Sequence, residues 1–179
     1  MKRRSCKYLL TAALLCAALT LPAKAARRRV PVQADAIPVS AAAYVEQGVT
    51  YVPLRGLLDA FGGWSVWWDS SRKVAAAASG SQSVTANPSR NTVTVNGRTY
   101  SGKVFVERGR TYIPLRTLAT ALGGSVAWDP QLGGAAVTSP GADHNAMDLY
   151  WLSRIISAES QGESLLGQLA VGHVVLNRV

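Results

Sequence analysis

Residues 50–63 read TYVPLRGLLDAFGG and residues 111–124 read TYIPLRTLATALGG, a near-copy displaced by 61 residues. After the paired glycines the copies continue as Ser65-Val66-Trp67-Trp68-Asp69 and Ser125-Val126-Ala127-Trp128-Asp129, with Trp64 inserted in the first. Such fidelity marks two equivalent supersecondary units. In each, Thr-Tyr-Val/Ile suits a short strand, and Pro53 or Pro114 suits the first turn of a helix, where the missing N–H costs nothing. Leu54, Leu57, Leu58 and Phe61 form one helical stripe, and Leu115, Leu118 and Leu122 the other. The glycine pairs at 62–63 and 123–124 end the helices. A Trp-bearing strand follows, Asp69 or Asp129 opens a turn, and a further strand runs over Val74 to Ser79 or Ala135 to Thr138.

Between the copies, Thr92–Val95 and Arg98–Tyr100 flank Asn96-Gly97, the pattern of a hairpin with a type I′ turn. Val104–Glu107 and Arg110–Ile113 flank Arg108-Gly109 in a second hairpin. The fold class is α+β: a duplicated strand-helix-strand domain with β-hairpins over 32–138. Trp64, Trp67, Trp68 and Trp128 admit two roles. Aromatic faces stack on sugar rings, but equivalent positions in both copies favour a shared core. Trp67 and Trp68 point to opposite strand faces, which leaves one of them free to be exposed. Arg55 and Arg116 recur in the two helices, with Asp69 and Asp129 as expected partners.

The chain opens with Lys2, Arg3, Arg4 and Lys7, an apolar run from Tyr8 to Leu21, and Ala23-Lys24-Ala25. This is the pattern of a secretory leader over 1–25, too short for a membrane span. The 19 basic and 10 acidic side chains give +9, and removing the five basic residues of the leader leaves +4. Arg27, Arg28 and Arg29 carry most of that surplus, and 26–31 is expected to be a basic flexible tail. No basic face remains for nucleic acid. Both cysteines, Cys6 and Cys16, lie in the leader, and His144 and His173 are the two histidines. No metal, no cofactor and, after leader removal, no membrane contact are expected.

The repeated TYVPLR…GG…W-D pattern resembles the copper amine oxidase N-terminal-like domain of secreted bacterial proteins, over about 105 residues. The resemblance implies an extracellular accessory module making cell-wall or protein contacts through residues 32–138. It implies no oxidase activity, since the histidines and modified tyrosine of those enzymes belong to a separate catalytic domain.

Ser139-Pro140-Gly141-Ala142 breaks the chain, so 139–145 is expected to be a linker and 146–179 a second, mostly helical unit. Asn145 or Asp143 caps its first helix, with Asp148 in the first turn. Glu159 falls in helical register with Ile156, Ile155, Leu152 and Leu149. A carboxylate on an apolar face is costly, and one partly withdrawn from water keeps its proton more readily. Near a helix end, periodicity alone favours a carboxylate with its head in water.

Ala158-Glu159, Gly162-Glu163, Gly167-Gln168-Leu169-Ala170-Val171 and Val175-Leu176-Asn177-Arg178-Val179 resemble the cell-wall hydrolases of the SleB, spore-cortex-lytic type. That resemblance implies a lysozyme-like fold, peptidoglycan glycan strands as substrate, Glu159 as catalytic acid, and Glu163 and Gln168 as substrate-binding residues. Ser160-Gln161 and His173 depart from the usual pattern. With one acid, attack by the muramic 6-hydroxyl is favoured over attack by water, although Glu163 could supply a second carboxylate. Two helices alone bury too little surface to fold as a domain, so 146–179 is expected to be the start of a longer one. The first functional expectation is a secreted peptidoglycan hydrolase or lytic transglycosylase, associated with cell wall or spore. The alternative is a non-catalytic wall-associated protein in which the repeat domain is the working part.

Overall fold

The computed structural model describes residues 27–178; the expected leader at 1–25, Ala26 and Val179 lie outside the described residues. The chain runs β1 (Arg28–Val30), β2 (Val32–Ala34), β3 (Ile37–Pro38), β4 (Ala43–Glu46), β5 (Val49–Pro53), α1 (Leu54–Phe61), β6 (Ser65–Asp69), β7 (Val74–Ser79), β8 (Gln82–Asn87), β9 (Thr92–Val95), β10 (Arg98–Ser101), β11 (Phe105–Glu107), β12 (Arg110–Pro114), α2 (Leu115–Ala121), β13 (Ser125–Asp129) and β14 (Gly134–Thr138). The helices α3 (Ala146–Ser160) and α4 (Leu165–Leu176) follow. Sheets thus dominate to Thr138 and helices follow, which is an α+β chain.

The strands form three sheets, ordered β1-β4-β5-β12-β11, β10-β9-β8-β7-β6 and β13-β14-β2-β3. Among the described residues only β14 and β2 pair in parallel; the other pairs are antiparallel. The duplication is written into the register of β5 and β12. Val52 pairs with Ile113, its own equivalent, while Tyr51 pairs with Pro114 and Pro53 with Tyr112. Equivalent residues pairing across one point define a pseudo-two-fold axis, the intramolecular form of an isologous dimer contact. Val52 and Ile113 are fully buried there. Leu54, Leu57 and Leu58 of α1 and Leu115 and Leu118 of α2 pack into the same core as Val84, Val93, Val95 and Val137.

The expected hairpin at Asn96-Gly97 has both residues at positive φ, 49° and 80°, as a type I′ turn requires. Arg108 and Gly109 turn the same way at 50° and 73°. A further, unexpected hairpin joins β4 to β5 through Gln47 and Gly48, at 51° and 77°. It is the counterpart of the Arg108-Gly109 hairpin, so the repeat begins before residue 50.

Arg27–Arg29, expected as a solvated tail, is ordered. Arg28–Val30 is a strand paired with β4, and Arg27 bridges two equivalent acids, Glu46 and Glu107, at 3.2 Å each. Arg27 also lies 4.1 Å from the Phe105 ring centroid. These partners come from distant segments, so no local pattern announces them.

Candidate functional site

The helix α3 starts where the sequence places it. The Asn145 side chain accepts from the Met147 amide at 2.8 Å, and Asp148 lies in the first turn. Two bonds hold it to the repeat domain: the Ala146 amide donates to Thr138 Oγ1 at 3.1 Å, and the Trp151 indole N–H donates to Asp129 Oδ2 at 2.6 Å. Tyr150 is buried, with its ring edge-on to Trp151. The buried side of α3 therefore passes through Ala146 and Tyr150, four residues apart, rather than through the Leu149–Leu152–Ile156 stripe. That stripe is half-buried, Ile156 lying against Gly172 of α4.

Glu159, in the last turn of α3, is exposed, while its neighbour Ser160 is buried and donates to the Ile156 carbonyl at 2.6 Å. Glu163 is exposed in the turn between the helices, and Gln168 is half-buried. The Gln168 amide group donates to the Glu163 carbonyl at 3.3 Å, so these two residues meet through backbone. Ser164 caps α4 by accepting from the Gly167 amide at 3.3 Å. Exposed apolar residues run round α4: Leu165, Leu166, Leu169, Val174 and Leu176.

The marked concavities lie elsewhere, in the repeat domain, and they too are duplicated. One groove of about 780 Å³ is lined by Pro53, Leu54, Arg55, Val66, Trp68 and Ala75, and by Gly109–Thr111 from the other copy's hairpin. A second, of about 350 Å³, is lined by Pro114, Leu115, Arg116, Val126, Trp128 and Ala135, with Gly48–Thr50 opposite. The residues named are equivalents pair by pair, and the first groove is lined in addition by Ser40, Ala41, Trp67 and Val106, which have no counterpart in the second. Each groove joins the helix start and Trp strand of one copy to the hairpin of the other.

The tryptophans are not the shared core that their equivalence suggested. Trp67 and Trp68 are each 46% exposed and Trp128 41%. Val66 and Val126 pack against the core, and two residues on, along the same strand face, Trp68 and Trp128 overhang into the grooves. The recurring arginines do not take the expected carboxylates. Arg55 donates to the Val66 carbonyl and Arg116 to the Val126 carbonyl. They cap outward carbonyls of β6 and β13, which are edge strands.

Asp69 and Asp129 bind their own turns instead. The Ser71 hydroxyl, the Arg72 side chain and the Arg72 amide hold the Asp69 carboxyl well below the usual carboxylate range. Partial burial pushes the Asp129 carboxyl up, but the Gln131 amide, Trp151 indole and Leu132 amide outweigh it and keep it low. Among the described residues, no three His, Cys, Asp or Glu side chains gather as a metal site. The groove residues that sequence reasoning missed, Gly48–Thr50 and Gly109–Thr111, become visible once the repeat is extended to the aligned segments 43–51 and 104–112.

No curated protein and no solved structure matches the chain. A comparison with protein families matches residues 32–137 to the copper amine oxidase N-terminal domain. That span starts at β2 and ends in β14, and it takes in both copies of the repeat with both Trp grooves. By this match over more than half of its length, the chain belongs to the copper amine oxidase N-terminal domain family.

Proposed function

We propose that this is a secreted protein acting on the glycan strands of peptidoglycan, with Glu159 as general acid and the repeat domain as its wall-binding part. The observation that carries this is the run Ala158-Glu159, Gly162-Glu163, Gly167-Gln168 and Asn177-Arg178-Val179, which resembles SleB-type cell-wall hydrolases of lysozyme-like fold. Among the described residues Glu159 is open to solvent, so the partial withdrawal from water expected for it is not seen there, and the sequence run alone supports its role. The exposed leucines of α4 are in keeping with a helix that packs against further helical protein.

The chemistry follows from a single acid. Glu159 donates its proton to the glycosidic oxygen as positive charge develops at the anomeric carbon. The muramic 6-hydroxyl then closes on that carbon and gives its proton to the Glu159 carboxylate, leaving a 1,6-anhydro end and a regenerated acid. Glu163 is in the adjoining turn, and a role for it as a second carboxylate would turn the reaction to hydrolysis. In this reading Glu163 and Gln168 contact the glycan.

With protein expressed from its complete reading frame, Glu159→Gln abolishes release of soluble muropeptides from purified sacculi; release at the wild-type rate excludes Glu159 as the acid. A second possibility, a wall-associated protein without catalysis, is favoured by one observation: neither large groove is lined by Glu159.

A further inference from the structure

Beyond the glycan-cleaving function, and without relying on Glu159, we propose that the two duplicated grooves are equivalent sugar-binding sites. Each stacks a pyranose ring of a carboxylate-bearing glycan on Trp68 or Trp128, beside an arginine. One half-exposed aromatic residue carries no message. Here the same aromatic is exposed at the same position of both copies, each in a groove with an equivalent valine and arginine. Both volumes, about 780 and about 350 Å³, fall in the range of about 300–1,000 Å³ usual for small-ligand sites.

The lining selects the ligand class. The flat indole suits the apolar C–H face of a pyranose, whose hydrogens meet the electron-rich ring. The guanidinium groups suit its hydroxyls and a carboxylate. Arg55 and Arg116 each spend an N–H on a strand carbonyl, which leaves the other donors of the fork for a ligand. Arg110 adds a cation to the first groove, and Arg28 lies 6.0 Å from the Trp128 ring centroid at the second. No aspartate or glutamate lines either groove. Where one glycan strand spans both sites, their affinities reinforce each other.

The test uses the full chain carrying Glu159→Gln, to keep the polymer intact. Sacculi are assayed by co-sedimentation, and polygalacturonate and neutral dextran by affinity electrophoresis. Sacculi or polygalacturonate retains the protein and dextran does not. Retention by sacculi alone assigns the glycan to peptidoglycan, and by polygalacturonate alone to a uronate polysaccharide.

Trp68→Ala or Trp128→Ala weakens binding about tenfold, and the double variant by more than about a hundredfold. Arg110→Glu, at an exposed hairpin position, weakens binding without touching a tryptophan. Four results overturn the proposal: no retention by either acidic polymer, equal retention by dextran, wild-type binding by a folded double variant, or wild-type binding by Arg110→Glu. None of them bears on Glu159, whose failure is read from muropeptide release alone.

Discussion

Gly56 and Thr117 occupy the same position in α1 and α2, yet only one has room for a side chain. A Cβ on Gly56 would stand 2.4 Å from the Ser40 carbonyl oxygen, which is backbone and must move. The close approach brings Ser40 and Ala41 over α1, where they close one end of the larger groove. Gly56→Ala gains up to about 1 kcal/mol of helix propensity, but overpacking costs about 1–3 kcal/mol, and a backbone clash belongs at the upper end. A net loss of about 1 kcal/mol or more is expected by thermal unfolding, with Thr117→Ala close to neutral as its control. Single residues also mark where sequence reasoning reaches its limit. Equivalence located Trp68 and Trp128 correctly, but whether such a side chain is covered depends on tertiary packing that the repeat pattern does not carry. Arg55 and Arg116 were recognisable as a pair, but a backbone carbonyl leaves no trace in a sequence as a partner.

Among the elements, the two short helices, the Asn96-Gly97 hairpin and the start of α3 were all legible, because a cap or turn residue signals each locally. The β4–β5 hairpin was missed because Gln47-Gly48 is a weak turn signature on its own; comparison with Arg108-Gly109 is what reveals it. The attachment of α3 illustrates long-range specification. Asp129 opens a turn, as expected, and its second oxygen also takes the Trp151 indole. In the first copy the equivalent oxygen of Asp69 takes Arg72 instead. Trp151→Phe keeps an aromatic ring beside Tyr150 but removes this bond to a carboxylate. Hydrogen bonds to charged groups contribute about 1.5–3 kcal/mol, and partial exposure lowers that here, so about tenfold faster amide exchange is expected. The effect is confined to α3 and α4; uniform acceleration through β5 and β12 would contradict local docking.

At the scale of the whole molecule, segments far apart in sequence are joined by charge. Glu46 is buried beneath Lys103, at 2.7 Å, and Arg27. The Lys103 hydrogen bond, aided by Arg27 and opposed by burial, holds its carboxyl below the ordinary value of about 4.5. Its contribution is complete above that value and fades as pH falls through the lowered one. His144 joins the 139–145 connection to Asp35, whose carboxylate also accepts from the Ser139 amide. Asp143 first, and then Asp35, raise the imidazole above its ordinary value of about 6.5 against the opposing effect of desolvation. This contribution is complete below pH 6.5 and fades as pH rises through the raised value. Melting temperature is therefore expected to plateau between about pH 4.5 and 6.5 and to decline on both sides. His144→Ala should remove the alkaline decline and leave the acid one.

The pseudo-two-fold repeat domain was the most legible part of the molecule, since its pattern occurs twice and each copy checks the other. The α3–α4 pair has no second copy, and the chemistry proposed for it rests on a short run around one exposed glutamate. Mass spectrometry of soluble products from sacculi, for wild type and Glu159→Gln side by side, tests that claim most directly. Wild type is expected to release muropeptides lighter by one water, ending in 1,6-anhydromuramic acid, and the variant none. Equal product from both, or none from wild type, would contradict it.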